Sequence, residues 1–252
     1  MGLMMTLRHD DPLSVTLVTA IRAGDLQSLQ RLMEEHPGLH SARIQDNKGV
    51  LRTPLHIATD WPGHFPSGAA VVRLLIRAEA DANTRLAGSR YAETPLHWAA
   101  SSDDVEVIDA LLDEGADLEA TGASIGGGGP MDNAVGYGQF NAARRLAERG
   151  ARTKLWHAAA LGLLPRVQDY FAGATPPTQK EVSEAFWQAC HGGHRATAEI
   201  LLARGADPNW IPPWSRQTPL EIASASNPGR PPAPDLVQWL RSIGAKTSGE
   251  LK

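Results

Sequence analysis

Five side chains of this 252-residue chain could exchange protons with a bound molecule: Asp60, Asp132, Tyr137, His157 and His191. Two carboxylates, a phenol and two imidazoles supply the acids and bases that proton transfer requires, and Trp61, Trp98 and Trp156 could wall such a site with apolar surface. Sequence spacing alone does not fix the distances among them, so the reading leans against an enzyme. The run Cys190-His191-Gly192-Gly193-His194 carries ligand-type residues. At helical phase, however, its three candidate ligands point three ways, which does not build a tetrahedral centre, and no metal is expected. Gly126-Gly127-Gly128-Gly129 precedes Pro130 and could offer N–H groups to an anion at a helix start. It lacks the lysine and Ser/Thr of a phosphate-binding loop, so a flexible connection is preferred and no cofactor is expected.

The elements that must position these residues repeat along the chain. Thr53-Pro54-Leu55-His56-Ile57-Ala58 recurs as Thr94-Pro95-Leu96-His97-Trp98-Ala99 and as Thr218-Pro219-Leu220-Glu221-Ile222-Ala223. Weaker copies begin at Gly129, Thr153 and Glu184, and a degenerate one lies around Thr16–Ala20. Threonine caps a helix N-terminus with its hydroxyl, and proline at the first helical position gives up no needed N–H. The leucine and the small residues three and four places later form one apolar stripe. Each copy leads into a second apolar helix, such as Val107–Leu112, which ends in a turn like Gly115-Ala116-Asp117, where glycine supplies a left-handed residue.

These motifs resemble the ankyrin repeat. The resemblance covers the chain from about Leu13 to Lys246 and implies an all-α solenoid of about seven helix–turn–helix repeats, some degenerate, with short β-hairpin fingers. Spacings between equivalent positions (16, 54, 95, 130, 154, 185 and 219) are 38, 41, 35, 24, 31 and 34 residues, around a period of about 33. The irregularities fall at an insertion, Asp60–Gly68, at the finger-less junction Gly150-Ala151-Arg152, and at Pro228–Pro234. The organisation expected is a flexible N-terminus (1–12), a repeat domain (13–246) and a polar tail (247–252).

The resemblance further implies that His56 and His97 are structural, bonding neighbouring backbone, and that the open side of each first helix lines a concave groove with the finger tips. That side is read as Thr19, Arg22, Ile57, Asp60, Trp61, Trp98, Ser101, Ser102, Asn133, Tyr137, His157, Leu161, Gln188, His191 and Ile222. The binding residues expected are Asp60, Trp61, Trp98, Ser101, Tyr137, Trp156, His157, Trp187, His191 and Trp214, with Arg90 and Glu93 as finger charges. Aromatic residues on consecutive repeats suit a binding hot spot. A protein partner is the leading expectation, as for a scaffold, inhibitor or regulator. The alternative is a small-molecule pocket using the acid–base set above, of cyclase or isomerase type.

Composition bounds the rest. Hydrophobic residues make up 42% and charged residues 21%, enough for a packed core. A net charge of −4 with interleaved signs argues against nucleic acid, which calls for a basic face. One cysteine, Cys190, fits a reducing compartment, and no apolar run reaches the length of a membrane span, so a cytoplasmic protein without membrane contact is expected. Met1–Thr6 matches an N-myristoylation pattern, but a single acyl chain without a polybasic segment anchors weakly.

Overall fold

A computed structural model describes residues 5–252; the myristoylation-type pattern lies largely outside the described residues. The described chain is helical, with 14 α-helices and three short strands, and forms two compact units, residues 1–151 and 152–252.

In the first unit, β1 (Thr6–Arg8) pairs in parallel with β2 (Arg43–Gln45), which pairs antiparallel with β3 (Leu51–Arg52). The stretch expected to be a flexible N-terminus therefore contributes an edge strand, held by backbone bonds that composition does not reveal. Asp46 turns the β2–β3 hairpin by accepting the N–H groups of Lys48 and Val50. The helices are α1 (Pro12–Ala23), α2 (Leu26–Glu35), α3 (Pro54–Ala58), α4 (Gly68–Arg77), α5 (Pro95–Ser101), α6 (Val105–Asp113), α7 (Pro130–Gly136) and α8 (Phe140–Glu148). Odd-numbered helices pack on one another as one layer and even-numbered helices as a second. Leu17, Leu55, Leu96, Val71, Ile108 and Leu146 are fully buried between the layers, as the apolar stripes require. The second unit repeats the arrangement with α9 (Leu155–Ala160), α10 (Leu164–Ala172), α11 (Gln179–Gly192), α12 (Arg195–Ala203), α13 (Pro219–Ser224) and α14 (Pro234–Ser242). Its core gathers Phe186, Trp187, Cys190, Leu201, Leu220 and Leu240.

Among the described residues, only the β2–β3 finger carries a regular hairpin. The later ones are turns in which Asp81, Asp117 and Asp207 each accept the N–H of the residue two places on. The left-handed residue before those turns is Gly115 (φ 91°) or Gly205 (φ 89°), but Glu79 (φ 74°) in the second helix pair. The polar tail is tied down, since the Ser248 N–H and hydroxyl both donate to Glu221.

A recurring latch joins successive first helices within each unit. His97 Nδ1 accepts the Thr94 N–H (3.1 Å), which leaves Nε2 as the donor to the carbonyl of Gly128 (3.3 Å). His56 does the same between Thr53 and the Glu93 carbonyl (3.1 Å). In the second unit Trp187 stands at the equivalent position, and its indole N–H donates to the Gln217 carbonyl at 2.9 Å. Glu93, Gly128 and Gln217 each directly precede the N-cap of the next first helix. Each latch thus ties one repeat to the start of the next. Burial leaves His56 titrating near 4 and pushes His97 below its ordinary value, so both are neutral at pH 7.

Candidate functional site

Five of the expected binding residues, Asp60, Trp61, Trp98, Ser101 and Tyr137, line one open recess of about 430 Å³ in the first unit. Glu93, Ser102, Ser124 and Gln139 complete it. First helices of five to seven residues are wedged between neighbours, so they reach this opening mainly through Trp98, Ser101 and the C-cap residues Ser102 and Tyr137. That geometry corrects several open-side assignments: Ile57 and Asn133 are buried in the first unit, and Leu161, Gln188 and Ile222 in the second, while Ser102 lines the recess although largely buried.

Trp61 is presented by the insertion after α3. Its N–H donates to Asp60 Oδ1 (3.0 Å), and the insertion is pinned where the His64 N–H meets Asp104, the N-cap of α6 (2.7 Å). The indole remains 75% exposed. Asp60 sits beside Arg52 (3.4 Å) and Arg22 (3.5 Å), and Arg52 also faces Asp46 (3.9 Å). Burial pushes the Asp60 carboxyl above its ordinary range, against the pull of both guanidinium groups. Tyr137 caps α7, stays half exposed, and hydrogen-bonds Ser124 through its hydroxyl at 3.0 Å. The Ser101 hydroxyl donates to the His97 carbonyl, while Gln139 Nε2 donates to the Ser101 carbonyl.

Glu93 is the residue that pattern reading misplaced. Expected as a finger charge, it is 8% exposed at the floor of the recess. One carboxylate oxygen accepts the Ser124 N–H (2.8 Å) and the Asn133 amide (2.7 Å), and the other accepts the Trp98 indole N–H (3.1 Å). These three donors stabilise the anion and fix the Trp98 ring. The signal that could have revealed it is its place just before Thr94-Pro95, at the finger base rather than the tip. Ser124 and Gln139 carry no periodic signal, since the first arrives from the glycine-rich turn and the second opens α8.

The proposed acid–base set is not assembled within either unit. Asp60 and Tyr137 share the recess, but Asp132 is buried at the start of α7, where it accepts the Gly129 N–H. In the second unit His157 is the capping histidine of α9, its Nδ1 accepting the Lys154 N–H at 3.0 Å, and it is 1% exposed. The repeat copy there begins one residue later than Thr153-Lys154-Leu155 suggested, with Lys154 as N-cap, which turns His157 inward. His191 packs beside Trp187 (5.2 Å between ring centres) and Gln188 (3.3 Å), and burial lowers its titration to about 4. Trp187 is buried as a latch rather than a binding surface. Trp156 lines a separate recess of about 470 Å³ with Lys154, Tyr170 and Glu184. Trp214 is 59% exposed and packs edge-on against Trp210. Cys190 lies in the core on α11, whereas His194 stands at the N-cap position of α12.

Among the described residues no helix is long and apolar enough to cross a membrane. Part of the chain is 34% identical, over 113 residues, to the palmitoyltransferase AKR1 of Lachancea kluyveri, covering 45% of this chain and 14% of that protein. A longer stretch of 168 residues is 28% identical to the ankyrin repeat and KH domain-containing protein mask-1 of Caenorhabditis elegans, covering 67% of this chain and 5% of that protein. The chain thus spans only a small part of the length of these curated relatives. The family profile described as ankyrin repeats (3 copies) matches residues 17–122 and 67–155, more than half of the chain. With the helix pairs, caps and latches described above, this chain belongs to the ankyrin-repeat family.

Proposed function

We propose that the recess between Asp60 and Gln139 is a recognition site for a segment of a protein partner. Ankyrin repeats are protein-interaction modules, and their stacked repeats offer extended surfaces for that purpose. The observation that carries the reading is the exposure of Trp61 (75%) and Tyr137 (51%) at the mouth of one recess, with Trp98 held between them by Glu93. Large aromatic side chains left in water cost hydration free energy, and they bury much area at small entropic cost once a partner covers them. The test is selection of displayed peptides on the protein, with counter-selection on a Trp61→Ala/Tyr137→Ala double variant. Peptides retained by the wild type and lost from the variant support the reading; a pool that both proteins retain equally refutes it.

A small-molecule ligand is the second reading, favoured by the size of the recess, about 430 Å³, and by the raised Asp60 carboxyl. It requires that Asp60→Asn abolish ligand binding while peptide selection fails on the wild type.

A further inference from the structure

The charge balance of the recess says what kind of side chain it admits. Asp60, Asp46, Arg22 and Arg52 form a chain of contacts between 3.4 and 3.9 Å in which two acids offset two bases. Glu93 is different. Its oxygens accept only neutral donors, from Ser124, Asn133 and Trp98, and among the described residues no basic side chain pairs with it. The neighbouring imidazoles of His56 and His97 are neutral, so they do not offset its charge. The floor of the recess therefore carries one carboxylate without an ion-pair partner, at the N–H edge of a tryptophan ring.

That ring is also the one whose N–H donates to the anion. Such a donor polarises the indole toward its face, and an aromatic face already attracts cations through its quadrupole. Trp61 and Tyr137 line the same opening with two further aromatic side chains. Three of the carboxylate's roughly four acceptor sites are taken, so it acts mainly through space and through Trp98.

We infer that the recess selects a cationic side chain, a lysine or arginine of the partner segment, held by Trp61, Trp98 and Tyr137 over the buried charge of Glu93. This rests on the reading of the recess as a recognition site and names the residue that the segment inserts. The basic side chain supplies the charge the site lacks, whereas a neutral apolar one would leave Glu93 uncompensated beneath it.

Two matched pairs of probes test it, read from the Trp98 indole N–H resonance, which is identified by its loss in Trp98→Phe. Choline is compared with its neutral carbon isostere 3,3-dimethylbutan-1-ol. The peptide acetyl-Ala-Gly-Lys-Gly-Ala-amide is compared with its norleucine counterpart. The expected result is saturable shifts with choline and the lysine peptide, at concentrations at least tenfold below any response to the neutral partners. Trp61→Ala, which alters an exposed side chain, should weaken both by fivefold or more, and Glu93→Gln should narrow the cation preference. Equal responses within each pair overturn the cation assignment, even where selected peptides still bind the recess, and the recognition reading then stands alone. Choline binding without lysine-peptide binding overturns the assignment to a protein side chain. Failure of every probe, with no displayed peptide depending on Trp61 and Tyr137, removes the recognition reading and this inference together.

Discussion

At the scale of single residues, His97 and Glu93 illustrate how a repeat divides its side chains between structure and recognition. Both sit next to Trp98, yet His97 has both ring nitrogens engaged and no exposed surface. His97→Ala should lower the free energy of unfolding by about 2 kcal/mol, as expected when a side chain making two buried hydrogen bonds is removed. Urea unfolding measures this, and peptide binding per folded molecule should be retained. An unchanged midpoint with lost binding would make His97 a ligand contact. Trp187→Phe deletes the donor to Gln217 and also shrinks a buried ring, so it should cost about 2–3 kcal/mol in the same measurement. A cost near zero would show that the indole bond carries no stability. Reading the sequence placed His56 and His97 correctly because their Thr-Pro-Leu-His setting is intact. It gave Trp187 to a binding surface because a tryptophan replaces the histidine at that position, so residue type did not announce the latch.

At the scale of elements, the ends of the helices decide what is legible. Glycine at positions 115 and 205 marks the left-handed turn, so those boundaries are readable from residue type. Glu79 holds the same conformation at φ 74° with an exposed side chain and nothing in its type to announce it. Glu79→Gly should stabilise the protein by about 0.5–1 kcal/mol through relief of that strain. A lower melting temperature in this variant would mean that the Glu79 side chain makes a contact worth more than the strain. The start of α9 shows the opposite failure. Thr153 looked like the cap, but Lys154 takes that place, and the one-residue slip moved His157 from an open face into the core. In a helix, one residue is a 100° rotation, so a phase error of this size changes which side chains meet solvent.

At the scale of the whole molecule, the fold was legible because the repeat motif and its helical stripes recur, whereas the site depends on contacts between elements far apart in sequence. Glu93 meets Asn133 across 40 residues, and no local pattern predicts that pairing. Burial of imidazoles has a consequence for the chain as a whole. His56 and His191 titrate near 4 in the folded protein, and His97 is also depressed, while the same groups in the unfolded chain titrate near 6.5. Between these values the unfolded state binds more protons, so stability is fully present above about pH 6.5 and is lost as pH falls toward 4. The urea midpoint should therefore drop between pH 7 and pH 4.5, and less so in His56→Gln. A midpoint independent of pH over that range would contradict the neutral, buried state of these rings.

The central claim is that recognition resides in the recess of the first unit, and its most direct test is the affinity of a selected peptide for three proteins, measured by calorimetry. Relative to wild type, Trp61→Ala/Tyr137→Ala should weaken binding by about 30-fold or more, the equivalent of roughly 2 kcal/mol for central aromatic anchors, with an unchanged melting temperature. Trp214→Ala, which removes an exposed aromatic of the second unit, should leave the affinity as it is. Wild-type affinity in the double variant, or a loss confined to Trp214→Ala, would contradict the assignment of the site.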